Sequence, residues 1–314
     1  MGLLVSGCGQ AATDPQDSAG AGFPMTFENC GEQVTIDRPP ERVVLLQDGA
    51  VSLLAAVGAL DKVVSIAGKR TGADLPEEIR AQVDRIPGIG SPGDAQEVSV
   101  EAIIAQRADV LIGSAEGLGL TRETLSTDGV PVIELPTLCG DTTKSLQNPT
   151  FDDIYPQVEF YGRLFGNENR AAATVTDLRG RVAAIKESAQ KAERRTAAAL
   201  FVSGGVVSGA YGAGSMQDAQ MEILGLANVL GDIPGRFIEP SAETVISLDP
   251  DLIIAVIDFD DIGKAGSVVR SLPGYAGVTA VRNDEILELP FQFTDPPTPL
   301  SVVGLERIAK FAAP

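Results

Sequence analysis

Ser99-Val100-Glu101-Ala102-Ile103-Ile104-Ala105-Gln106-Arg107-Ala108-Asp109-Val110-Leu111-Ile112 returns, 142 positions further on, as Ser241-Ala242-Glu243-Thr244-Val245-Ile246-Ser247-Leu248-Asp249-Pro250-Asp251-Leu252-Ile253-Ile254. Five of the fourteen positions are identical, and most of the others exchange one aliphatic side chain for another. Each copy sets a serine at a helix start with a glutamate in the first turn, then an apolar helix face, then an aspartate ahead of a buried strand. A helix-strand unit present twice predicts two lobes built on one plan.

The flanking sequence agrees. Val43-Val44-Leu45-Leu46, the helix-like Ala50 to Ala59, Val63-Val64-Ser65-Ile66, Asp109-Val110-Leu111-Ile112 and Pro131 to Leu135 alternate as strand and helix, the pattern of a parallel sheet with helices on its faces. Ala198 to Val202, Leu252 to Ile257 and Glu285 to Leu289 are the strand candidates of the second half, with helices at Met216 to Leu226 and Leu300 to Phe311. Between the halves runs the longest helical pattern, with Ala172, Val175, Leu178, Val182, Ile185 and Ala189 spaced by three or four. Asn167 and Glu168 suit its start, Lys186 and Lys191 its end. A shorter stripe, Ile154, Val158, Tyr161 and Leu164, precedes it and closes at Gly166. The predicted fold is α/β: two Rossmann-like lobes with central, mostly parallel sheets, joined by a single long helix. Residues 1–22 form a tether, 23–150 the first lobe, 151–193 the helical link and 194–314 the second lobe.

Composition narrows the chemistry. The 314 residues carry 24 basic and 43 acidic side chains, a net charge of −19, with no histidine and no tryptophan. Nucleic acid and anionic surfaces are poor partners for such a balance. Lacking histidine, the chain has no Ser-His-Asp or Cys-His pair and no histidine metal site, which speaks against an enzyme. The segment Arg163 to Arg195, with eight basic and four acidic residues, stands at +4 within otherwise acidic lobes and reads as a solvated helix face. No run of about 18 apolar residues occurs that could cross a bilayer as a helix.

Cys8 closes Leu4-Val5-Ser6-Gly7-Cys8, a short apolar run ending in small residues. It resembles the lipobox of bacterial lipoproteins, in which the signal is cut before the cysteine and that cysteine carries lipid. Only Met1 to Val5 precede the motif, so a signal truncated upstream is expected. Gly9 to Gly22 reads as a flexible tether. Lipidation at Cys8 would place the protein outside the cytoplasm, anchored to the cell membrane, where disulfides persist. Cys30 and Cys139 are then a candidate disulfide or two separate buried thiols, because spacing does not fix pairing.

From about Arg42 onward the sequence resembles the substrate-binding proteins of bacterial ABC importers for ferric siderophores, haem and cobalamin, the class III periplasmic binding proteins. The resemblance rests on Pro40-Glu41-Arg42-Val43-Val44, the repeated Ser-x-Glu unit, Gly129-Val130-Pro131-Val132, the linking helix, Ser271-Leu272-Pro273-Gly274-Tyr275 and Ala280-Val281-Arg282-Asn283. It implies a monomer that captures a ferric siderophore between its lobes and presents it to a permease dimer, with no cofactor and no metal bound by the protein itself. The two glutamates that dock on permease arginines in that family correspond to Glu101 and Glu243; such surface carboxylates set register and encounter rate. Loops following the strands would hold the ligand. In the first lobe these offer Gln47, Asp48, Lys69, Arg70, Ser114 and Glu116. In the second they offer Tyr211, Arg236, Phe237, Asp258, Phe259, Phe291 and Phe293. Arg70, Tyr211 and Arg236 lead, since guanidinium groups fit anionic chelator oxygens and an aromatic ring gives a flat wall.

Four other readings stand beside this one. Cobalamin is bound by packing and hydrogen bonds, and haem by an axial ligand for which Tyr211 is the candidate. Gly88-Ile89-Gly90-Ser91-Pro92-Gly93 fits the G-x-G-x-x-G expression of dinucleotide-dependent enzymes, although Pro87 and Pro92 disturb the strand and helix that this motif requires. A lipoprotein binding a protein partner would have no ligand in the cleft.

Overall fold

The computed structural model describes residues 22–69, 75–91, 98–126, 129–140, 142–190, 193–257 and 263–313. Cys8, Arg70, Asp258 and Phe259 lie outside them. The described chain begins with a hairpin, β1 (Met25–Asn29) and β2 (Glu32–Ile36), paired antiparallel. Its two-residue turn, Cys30-Gly31, has φ of 54° and 80°, the left-handed pair that matches strand twist in tight hairpins. Five parallel strands follow: β3 (Val43–Leu45), β4 (Val63–Ala67), β5 (Gly88–Ile89), β6 (Val110–Ile112) and β7 (Val132–Ile133). Their order is β5-β4-β3-β6-β7. Helices α1 (Val51–Val57), α2 (Glu77–Val83), α3 (Val100–Ile104) and α4 (Arg122–Leu125) alternate with them. All of β3 and β6 is buried, as a doubly covered parallel sheet demands. From β3 the chain steps one way to β5 and then reverses to β6 and β7, so the topological switch falls between β3 and β6.

Cys30 and Cys139 are joined in a disulfide with Cα atoms 5.5 Å apart, fastening the hairpin turn to the loop after β7. Beside it, Asn29 Nδ2 donates to Glu134 O at 2.9 Å, and Arg122 donates to Asn29 O at 2.9 Å while pairing with the buried Glu134 at 2.9 Å.

Two helices make the link, α5 (Ile154–Leu164) and α6 (Glu168–Ala189). Phe27 of the hairpin meets Phe160 of α5 edge to face, centroids 4.7 Å apart. At about 1.5 Å per residue, α6 is on the order of 33 Å long. It buries Ala171, Val175, Leu178 and Val182, while Ala172, expected on this stripe, is exposed one position off the buried line. Asn167 does not cap α6 with its side chain; its Nδ2 donates instead to Val57 O at 2.9 Å, tying α6 to the end of α1. Thr174 Oγ1 likewise donates to Ala56 O at 2.9 Å.

The second lobe contains β8 (Thr196–Ser203), β9 (Val206–Ala210), α7 (Met216–Ile223), β10 (Ala227–Asn228), α8 (Ala242–Leu248), β11 (Leu252–Ile257), α9 (Ala265–Ser271), α10 (Thr279–Arg282), β12 (Ile286–Pro290) and α11 (Pro299–Ala312). Its parallel strands run β10-β8-β11-β12, with β9 antiparallel against β8. Here the switch lies between β8 and β11. Arg181 of α6 pairs with Glu306 of α11 through two contacts of 2.7 and 2.9 Å, so part of the basic link is bound to the second lobe rather than only solvated. One hydrophobic core runs from Val34 and Ile36 through α1, α5 and α6 to Leu289, Leu300 and Ile308.

The repeat now has a physical cause. Ser99 Oγ accepts from Ala102 N at the start of α3, and Ser241 Oγ accepts from Thr244 N at the start of α8. Asp109 Oδ2 accepts from Glu41 N (2.9 Å) and Arg42 N (3.0 Å), just before β3. Asp251 Oδ2 accepts from Thr196 N and Thr196 Oγ1, both at 2.8 Å, at the start of β8. In each lobe the serine caps the helix, and the aspartate fixes where the neighbouring strand begins.

Candidate ligand cleft

A cavity of about 610 Å³ lies where the C-terminal ends of the two sheets face each other. From the first lobe, Gln47, Asp48 and Gly49 follow β3, Gly68 follows β4, Ser114, Glu116 and Gly117 follow β6, and Thr137 to Cys139 with Ser145 to Gln147 follow β7. From the second lobe come Arg236 and the segment after β12, with Phe291, Gln292, Asp295 and Pro296. The first-lobe switch point, between the residues that follow β3 and those that follow β6, opens onto this space, as expected for α/β sheets.

The floor is a charged cluster shared between the lobes. Arg236 Nε lies 2.7 Å from Asp295 Oδ2. Its Nη1 crosses the cleft to donate to Thr137 O at 3.1 Å, and Thr137 Oγ1 donates to Asp295 Oδ1 at 3.4 Å. Asp295 has no exposed surface and Arg236 retains 30%. Burial pushes the Asp295 carboxyl up, while the Arg236 guanidinium and the Thr137 hydroxyl favour its charged form. On the first-lobe wall, Gln47 Oε1 accepts from Ser114 N at 3.3 Å, and Ser114 Oγ accepts from Gly117 N at 3.3 Å, which orients the turn presenting Glu116. Gly117 approaches so closely that a Cβ there would stand 2.9 Å from Gln47 Oε1.

Of the residues expected from sequence, Gln47, Asp48, Ser114, Glu116, Arg236 and Phe291 are brought together here. Others are not at the wall. Lys69 Nζ donates to the carbonyls of Ile86 at 2.5 Å and Asp84 at 3.3 Å. Tyr211 is 2% exposed and sits edge to face against Phe201 and Phe237. Phe237 is 44% exposed but rides on Gly209, where a Cβ would fall 2.2 Å from its ring. Phe293 is fully buried under the Arg307 guanidinium, 3.9 Å from its ring centroid. Arg70, Asp258 and Phe259 lie outside the described residues. Sequence reading missed the loop from Thr137 to Gln147 and the Asp295-Pro296 segment. The first follows strand Pro131 to Leu135, and the rule applied to the other strands would have included it.

Glu101 and Glu243 stand exposed in the first turns of α3 and α8. Hydrogen bonds from its own backbone N–H and from Ser99 hold the Glu101 carboxyl below the usual range, so it is a carboxylate at neutral pH. In the Gly88 to Gly93 expression, Gly88-Ile89 is itself the edge strand β5, paired with Ile66 and Ala67, where a nucleotide-binding motif needs a strand before its first glycine; Pro92 and Gly93 lie outside the described residues.

Two α/β lobes on a rigid helix, closing on one cleft, define a binding protein. The sequence matches the periplasmic binding protein family over residues 43–293, and the chain belongs to that family. It is similar to the crystal structure of an ABC-type Fe3+-hydroxamate transport system from Saccharomonospora viridis, at 42% identity and a TM-score of 0.83 over 92% of this chain and 99% of that one. It is 22% identical to the uncharacterized ABC transporter substrate-binding lipoprotein YvrC of Bacillus subtilis, over 99% of this chain and 94% of the relative. A cobalamin-binding protein of Halobacterium salinarum is 25% identical over 91% of this chain and 73% of the relative.

Proposed function

We propose that this protein captures a ferric siderophore in the cleft and delivers it to an ABC importer, held at the outer face of the cell membrane through lipid on Cys8. The observation that carries the reading is the cavity of about 610 Å³ walled by both lobes, with the Arg236 guanidinium at its floor and Phe291 beside it. That space suits a compact chelate presenting oxygen atoms and apolar edges together. The name of the Saccharomonospora relative supports an iron chelate, and YvrC supports the lipoprotein reading. The cobalamin-binding relative favours a second ligand class for the same cleft. Haem is less well served, because Tyr211 is packed among aromatic rings rather than at the cavity wall.

Titration with ferric trihydroxamate, cobalamin and haem, followed by native mass spectrometry and visible absorbance, is the direct test. A one-to-one ferric siderophore complex is the expected result; binding of cobalamin alone, or of none of the three, would overturn the assignment. Docking is tested separately. Glu101→Ala with Glu243→Ala should leave ligand affinity intact and abolish uptake by cells, since exposed carboxylates govern register and encounter rather than the distant cleft. Undiminished uptake would remove the docking role.

A further inference from the structure

The charge of the cleft points to the class of chelate it takes, and this inference rests on the siderophore reading above. We infer that the cleft selects an iron chelate of zero net charge, and that Asp295 sets this preference by cancelling Arg236. Among the described residues that line the cavity, Arg236 is the one cation, and the carboxyl groups of Asp295 and Glu116 line it as well. Its charge is committed: Nε lies 2.7 Å from the fully buried Asp295, and Nη1 donates across the cleft to Thr137 O. Lys69, next to the lining residue Gly68, turns its ammonium away to the carbonyls of Ile86 and Asp84. The described wall therefore offers hydrogen-bond donors without surplus positive charge, and the exposed Glu116 adds a negative one.

Ligand chemistry divides on this point. Three hydroxamates, each a bidentate monoanion, cancel the three charges of ferric iron. Three catecholates, each a dianion, leave a complex at −3. A trianion entering a wall whose described cation is already paired meets the Glu116 carboxylate without compensation, which disfavours it. A neutral complex meets no such penalty and can still accept from the remaining guanidinium N–H groups.

Affinities for a ferric trihydroxamate and a ferric triscatecholate, measured side by side by calorimetry, test this. The unaltered protein should prefer the trihydroxamate by roughly a hundredfold. Asp295→Asn keeps the shape and an oxygen for Thr137 but releases the charge of Arg236, and should move the ratio towards the triscatecholate by about tenfold. That gain should shrink as salt is raised, which a merely structural change would not produce. Glu116→Gln, on an exposed residue that threatens no core, should move the ratio the same way by about threefold, so a poorly folded Asp295→Asn leaves the question decided. Equal affinity for the two chelates, or a ratio unmoved in the folded variants, overturns the inference while leaving the siderophore reading in place; a dominant cation outside the described residues, Arg70 foremost, would then set selectivity. Failure of both chelates to bind would instead remove the siderophore reading itself.

Discussion

Replacing Cys30 and Cys139 together by serine, or reducing their disulfide, should lower the free energy of unfolding by about 4 kcal/mol. The bond joins residues 109 positions apart, and almost the whole first lobe lies inside the loop it closes. Releasing a loop of that length returns a large conformational entropy to the unfolded chain. The folded state changes less, because Arg122, Asn29 and Glu134 still hold the hairpin to the sheet. The serine variant and the reduced wild type should therefore keep the native circular dichroism and unfold at matching, lower urea concentrations. A loss below about 1 kcal/mol by either route would show that the unfolded chain is held compact by something other than this crosslink.

Gly304→Ala should cost about 3 kcal/mol or more, and Gly180→Ala, the same change in another helix, should stabilise by nearly 1 kcal/mol. Gly304 lies in α11, where a Cβ would stand 1.9 Å from Phe293 O and 2.8 Å from Gln220 Nε2. The buried Gln220 amide donates to both Phe293 O and Ser301 O at 2.9 Å, so neither neighbour can withdraw without orphaning a polar group. Phe293 begins the turn into Asp295 and Pro296, and the displaced backbone should also weaken ligand binding. Gly180 sits on the exposed face of α6 with nothing within 4 Å of its Cβ position, so alanine there brings only its better helix propensity. Thermal denaturation of both variants checks the pair, and a neutral Gly304→Ala would refute the close packing described here.

The sequence carried the repeat, the α/β class and the linking helix because each is written in local periodicity, and Ser99, Ser241, Asp109 and Asp251 do in the structure what their spacing implied. The β1–β2 hairpin was not legible. Its turn is Cys30-Gly31 rather than the Asn-Gly or Asp-Gly that usually signals a left-handed pair. The site was half legible. Residues directly after long strands were found, since strand ends are visible as the limits of apolar runs. Tyr211 and Phe293 were placed at the wall because an aromatic side chain suits a ligand face and a core equally well, and only three-dimensional packing separates the two. The partnership of Arg236 with Asp295 joins positions far apart in sequence, and no local pattern announces it.

The core that continues from the hairpin through α6 to α11 has a consequence for the life of the molecule. Each lobe also has a core of its own, and this shared one couples the two lobes through α6. A ligand held by both lobes then stabilises the folded chain by about 2.7 kcal/mol at a hundred times its Kd. Proteolysis that proceeds through the open state follows that same population. Loaded molecules outlast empty ones, and the turnover of the protein follows the supply of what it carries.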